Sequence, residues 1–344
     1  MRTETYKTVR DAVARLRGKD PTALDTKTAA EIAQHITDRC REAIEYDYWP
    51  ELTPCEERQY RSPWASGTTY SAPTASAAVE VFYPASGGYY QALRASTGQA
   101  PATLSGSAWV VNTAYWAEVA AAYAGDDWAT GAVYAVADVV RNPSDGRYYA
   151  CHTAHTAGGT FDATKFGILT PWRPYVALDQ ASRTAIGEVL HLFRRDPRVY
   201  RGRGGLVLFT VGAEGIVPAE GAPASVWIEF RVRPPRFTST AYSSSTAYVA
   251  GDLVYYATTG ECYQALASTT NHAPTDTTYW RRQELPYVVS QFVQRAALAD
   301  GLRCDNQSDR AALEESRAYE FLLRAHDAAF AGQGQFDPAS VRTY

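Results

Sequence analysis

The chain has 344 residues, 46% hydrophobic and 20% charged, enough apolar material for about two cores, which excludes long-range disorder as its main state. Lys and Arg total 33 against 37 Asp and Glu, a formal net charge of -4, so no global charge bias points to nucleic acid, a membrane surface or an acidic substrate. Twenty-four Tyr and eight Trp beside a single Met predict many small β units with aromatic faces rather than one helical core rich in Leu and Met.

The N-terminal segment MRTETYKTVRDAVARLRGKD has no apolar run of the secretory kind, and no stretch approaches a membrane span, so cytosolic synthesis and no membrane contact are expected. Cys40, Cys55, Cys151, Cys262 and Cys304 are odd in number, scattered and free of CxxC pairs, which fits a reducing compartment better than a disulfide framework or a zinc site. A helix is predicted over Tyr6 to Arg17, broken by Gly18 and Pro21. A second begins at a capping box, Thr28-Ala29-Ala30-Glu31, carries Ile32, Ile36, Cys40, Ala43 and Ile44 on one face, and stops near Tyr48-Trp49-Pro50. Glu56 to Arg61 is a first strand.

From about Ser62 the composition turns to Ser, Thr, Ala, Gly, Tyr and Trp, and an internal repeat appears. Tyr90-Gln91-Ala92-Leu93 through Ala100-Pro101 matches Tyr263-Gln264-Ala265-Leu266 through Ala273-Pro274 without a gap. The match extends back to Val81-Phe82-Tyr83 against Val254-Tyr255-Tyr256, and forward, past loops of different length, to Tyr115-Trp116 against Tyr279-Trp280. A weaker copy parallels Tyr248 to Val254 with Tyr134 to Val140 and runs through Tyr148-Tyr149-Ala150-Cys151 to Trp172. Each unit is expected to be a strand, a tight turn (Ser86-Gly87-Gly88, Ser144-Asp145-Gly146, Thr258-Thr259-Gly260), a second strand, a long loop and a closing Trp.

Outside the repeats, Ala185 to Phe193 fits strand or helix, with strand preferred; Leu206 to Val211 is β-rich. Ser225 to Arg233 alternates, with Val226, Ile228, Phe230 and Val232 on one face and Trp227, Glu229, Arg231 and Arg233 on the other. Pro286 opens an amphipathic helix through Val289, Phe292, Val293, Ala296 and Leu302. Ser308 caps a last helix with Leu313, Ala318, Phe321, Leu322 and Ala325 inward, and Gln333 onward is a polar tail. The expected class is α+β: helical ends and a small β core, decorated by three small all-β inserted modules. The divisions are 1–62 (helical hairpin and first strand), 63–123, 124–172 (two modules), 173–238 (core β segment), 239–283 (third module) and 284–344 (C-terminal helices and tail).

No HExxH, Walker loop, GxSxG or DxDxDG occurs, and the adjacent carboxylate pairs lie in loops or on helices, so neither catalysis nor a cofactor is expected. His152 and His155 lack further ligands at usable spacing. Arg194, Arg195, Arg198, Arg201 and Arg203 gather around one Asp and read either as a phosphate- or partner-contacting loop or as a solubilising one, an argument that Arg231 and Arg233 extend. Tyr255, Tyr263, Trp280, Trp116 and Trp172 are candidates for stacking on sugar rings, with packing in a small core as the competing role.

The modules, with Tyr248-Val249-Ala250-Gly251-Asp252-Leu253-Val254, Tyr263-Gln264-Ala265 and Trp280, resemble the small chitin-binding type-3 fold of carbohydrate-binding module family 5/12. The first has Ala78-Val79 and the second Ala137-Asp138 where the third has Gly-Asp. The remainder resembles tailed-phage head-to-tail adaptor (neck connector) proteins. The matching segments are Glu42 to Glu57, Ile186-Gly187-Glu188-Val189 with Arg195-Asp196-Pro197-Arg198, Val226 to Phe237 and the C-terminal amphipathic helices.

That resemblance implies a virion component of the neck, made in the host cytoplasm and assembled as a ring of itself, typically dodecameric. The portal protein and a tail or stopper protein would be its partners, with a passing contact to packaged DNA. Docking to portal or neighbours would fall to Val289, Phe292, Val293, Leu313, Phe321 and Leu322, and the modules would project outwards, where they could hold a host-surface glycan. The alternative is a carbohydrate-binding protein with no neck role.

Overall fold

The computed structural model describes residues 2–180, 183–200, 205–219 and 225–331. It is a mixed α+β structure with helices α1 (Tyr6–Leu16), α2 (Thr26–Glu45), α3 (Pro197–Tyr200), α4 (Tyr287–Cys304) and α5 (Ser308–Ala331), and many short strands in small sheets. The chain divides into two compact units, one over 1–54, 181–190 and 229–344, the other over 55–180 and 191–228. The division passes through the segment 173–238, and the third repeat is grouped with the helices.

In the helical unit, α4 is apolar nearly all round: Val289, Phe292, Val293, Ala296, Ala297, Leu298, Ala299 and Leu302 are all buried, as a central helix requires. Helices α1, α2 and α5 pack on it. The α2 start differs from expectation. Asp25 is the cap, its carboxylate accepting from the Thr28 N–H at 2.9 Å and the Thr28 hydroxyl at 2.7 Å, so the helix begins three residues before the Thr28 box. Asp outcompetes Thr because it offers a charged acceptor to the free N–H groups and the positive helix end. Arg39 joins three helices, gripping Asp300 with two hydrogen bonds of 2.7 and 2.6 Å and reaching Glu42 and Glu315. Burial alone would raise the Asp300 carboxyl, but the Arg39 hydrogen bonds and charge hold it below the ordinary carboxylate range. A strand that the sequence did not suggest, Thr3–Thr5, pairs antiparallel with Glu284–Pro286 and ties the N-terminus to the start of α4.

The strand Ser225–Val232 alternates as its sequence requires, with Val226, Ile228, Phe230 and Val232 buried. Ile186–Phe193 is a strand, and the sheet order places Ser225–Val232 beside it.

Three antiparallel meanders recur with one register. In the first, Glu80–Tyr83 pairs with Gly88–Ala92, which pairs with Trp116–Glu118. In the second the strands are Val139–Arg141, Tyr148–Cys151 and Phe166–Ile168, and in the third Leu253–Tyr256, Glu261–Ala265 and Trp280–Arg282. The turn glycines Gly87, Gly146 and Gly260 all have φ between 72° and 75°, where a side chain would be strained, and donate to the carbonyls of Tyr83, Asn142 and Tyr256. Tyr70, Tyr134 and Tyr248 each accept a backbone N–H from five residues upstream, from Ala65, Ala129 and Ser243, at 2.8 Å. The closing aromatic opposite Ala92, Cys151 and Ala265 is Trp116, Phe166 and Trp280. Trp172 is therefore not the closing residue of the second repeat. The position selects a large ring, which Phe166 supplies.

Candidate ligand and docking surfaces

Of the five residues expected to stack on sugar, three are core. Trp116 and Trp280 are buried, their indole N–H groups donating to the carbonyls of Gln99 (2.9 Å) and His272 (3.0 Å), the same position of the repeat; Tyr263 is buried in the same cluster as Trp280. A ring with both faces packed offers none to a sugar, so Trp116, Trp280 and Tyr263 have packing roles. Trp172 lies against Tyr89 (5.0 Å between ring centres) and under the Arg61 guanidinium at 4.4 Å.

Tyr255 lines a cavity of about 680 Å³ in the helical unit, where its hydroxyl accepts from Arg10 at 2.7 Å and Arg10 is held in turn by Asp11. Arg10 is buried, and Lys7, Thr22, Thr258 and Thr259 are among the other polar residues of the lining. The third repeat also rests on α1 through Glu261, whose carboxylate accepts the Lys7 backbone N–H at 3.2 Å and so satisfies a free donor at the helix start.

The exposed aromatic surface belongs to residues that sequence reasoning passed over. In the first repeat the long loop is itself a hairpin, Ala102–Ser105 against Ala108–Val111, carrying Leu104 directly opposite Trp109; both are exposed. Trp109 stands edge-on to Tyr83 (5.9 Å, 88°), and Tyr83 edge-on to Trp64 (5.6 Å, 84°). The signal available in the sequence was the length of that loop, in which Leu104-Ser105-Gly106-Ser107-Ala108-Trp109 has the form of strand, turn, strand.

Among the expected docking residues, Val289, Phe292, Val293 and Leu322 are buried inside their own unit, so they hold it together and are not free to meet a partner. Leu313 is exposed, and Phe321 lines a groove of about 320 Å³ with Arg2, Tyr287, Ala325 and Ala329. Helical periodicity marks the face that packs, and α4 and α5 pack that face on each other.

Of the arginine stretch, Arg194, Arg195 and Arg198 are exposed, while Arg201 and Arg203 lie outside the described residues. Arg198 is held by Asp196 at 2.9 Å and lies 5.1 Å over the Trp227 ring, which partly neutralises and fixes it. Just beyond, Leu206 and Leu208 are 68% and 81% exposed on either side of buried Val207, and Val199 and Val211 are exposed too. His155 packs against Phe166 and His152 bonds to Thr153; among the described residues no three metal-binding side chains converge. Among them, too, no helix is long and apolar enough to cross a membrane.

No family model, curated protein or solved structure matches the chain.

Proposed function

We propose that the protein is a structural component of a tailed-phage virion, a head-to-tail adaptor that assembles with itself and with portal and tail proteins. The observation that carries the reading is the segment Leu206-Val207-Leu208, which faces its own unit with Val207 and water with two leucines. An outward-facing apolar pair in the segment that leads into the strand Phe209–Gly212 is costly unless another subunit covers it, and ring symmetry multiplies a modest contact. The family resemblance of the helical and strand segments supplies the identity of the partners. The test is the copy number of this protein relative to portal protein in purified particles, by quantitative mass spectrometry. A fixed ratio near one per portal subunit is expected, and Leu206→Ser with Leu208→Ser should lower incorporation at least tenfold while the melting temperature holds. Absence from particles overturns the reading. Deleting Val288 to Phe330 is a poor test, because it removes the central helix of a unit.

A second reading, glycan binding, is favoured by the exposed Trp109 beside Tyr83, which suits the apolar face of a sugar ring. Trp109→Ala should then abolish retention on a polysaccharide column. Retention unchanged by that substitution, or none in the parent, removes it.

A further inference from the structure

In a chain of net charge -4, one small cup in the helical unit gathers four guanidinium groups. Arg231 and Arg233 stand on the outer face of the strand Ser225–Val232 and its continuation, Arg236 follows Pro234-Pro235, and Arg41 comes from α2; together they line a recess of about 250 Å³ with two carboxylates, Glu45 and Glu188. The cup carries a formal excess of positive charge, and its groups are not all committed. Arg231 is fixed by Glu188 at 2.7 Å, and Arg233 by the Ile186 carbonyl at 3.1 Å. Arg41 meets Asp38 only at 3.6 Å with both side chains about half exposed, and Arg236 has no ion pair or hydrogen bond among the described residues. Gly187 is needed at the wall. A Cβ there would lie 2.9 Å from the Val232 carbonyl and 3.0 Å from that of Arg231, so glycine lets the neighbouring strand approach the arginine-bearing backbone.

We propose that this cup binds the phosphodiester backbone of a nucleic-acid duplex. Two guanidiniums are pre-positioned and two are free to engage, and Arg forms forked hydrogen bonds to phosphate oxygens. Residues two apart in extended backbone are separated by about 6.6 Å, so Arg231 and Arg233 set two charges along one line, and Arg236 and Arg41 line the same recess; charge spread over four groups suits a polyanion better than a single phosphate. Glu45, exposed on the rim with no partner among the described residues, opposes the ligand. The lining of the cup carries this inference, which deepens the contact with packaged DNA that the adaptor reading implies; loss of duplex binding removes the inference alone, and absence from particles removes the adaptor reading alone.

The experiment is fluorescence anisotropy of a labelled DNA duplex with the full chain across a salt series, with inorganic pyrophosphate titrated separately. Binding is expected at about 50 mM salt, and Arg41→Glu with Arg236→Glu should weaken it at least tenfold and reduce the log–log salt slope by about 2. Glu45→Gln should act in the opposite direction, tightening binding by about threefold, as removal of a repelling rim charge does; loss of fold cannot mimic that gain. Absence of duplex binding, binding that the double variant leaves unchanged, or pyrophosphate binding without duplex binding each overturns the proposal.

Discussion

The first and third repeats share a frame and differ in what surrounds it. Both bury a closing Trp whose indole bonds to the same carbonyl position, and both hang a tyrosine hydroxyl on the backbone five residues upstream. Yet the first packs on the second, with Leu93, Ala150 and Leu169 in one small cluster and Gly167 so close that a Cβ would fall 2.4 Å from the Leu93 carbonyl. The third instead rests on α1 through Tyr255 and Glu261. The residues common to both repeats are therefore those that close each small core and the left-handed glycine of the tight turn, and residues on the outer faces are free to suit different neighbours.

The largest expected effect tests the frame. Trp116→Ala and Trp280→Ala should each destabilise their own repeat by about 3–5 kcal/mol, read by urea unfolding with hydrogen exchange resolved by peptide. A much smaller loss at Trp116 would show that the hairpin over Ala102–Val111 holds the first repeat by itself. Tyr70→Phe and Tyr248→Phe should cost about 1–2 kcal/mol each, since each orphans one backbone N–H, and unequal costs would show that the surroundings relieve one of them.

The smallest effect is one of pH and separates the two repeats. The turn before the closing Trp is built on Asn112 in the first and Asp276 in the third, whose carbonyls accept from Tyr115 and Trp116 and from Tyr279 and Trp280. Backbone and side-chain hydrogen bonds from Thr278, helped by His272, hold the Asp276 carboxyl below its ordinary value. A depressed folded pKa gives a contribution that is present above the unfolded value of about 4 and lost as pH falls through the folded one. Exchange at Thr278 to Trp280, corrected for the intrinsic rate, should therefore rise on acidification while that at Tyr115 and Trp116 does not. Equal behaviour would remove the carboxylate from the account.

The repeats were legible because an ungapped match carries register with it, and Ser225–Val232 because alternation is a strong local pattern. The N-terminus of α2 is hard to place from sequence because Thr28 fits a capping box while Asp25, three residues earlier, is the stronger acceptor. Residue type points to Trp172 as the closing ring of the second repeat, whereas the fold requires an aromatic opposite Cys151 and takes Phe166. Thr3–Thr5 leaves no signal, since its partner Glu284–Pro286 lies at the other end of the chain. Site residues were hardest to read, because the pattern that identifies an apolar face is also the one that buries it: Trp116, Trp280 and Phe292 are buried, and Trp109 is exposed.

The hairpin of the first repeat is pinned at its root, where Asn112 N–H donates to the Pro101 carbonyl at 2.9 Å and Trp116 donates to Gln99. Chain beyond that clasp adds only a slowly growing closure entropy, about 0.6 kcal/mol for each doubling of length. Residues 102–111 are thus a graft acceptor: a foreign peptide spliced there could be displayed while the β-meander beneath it keeps its register.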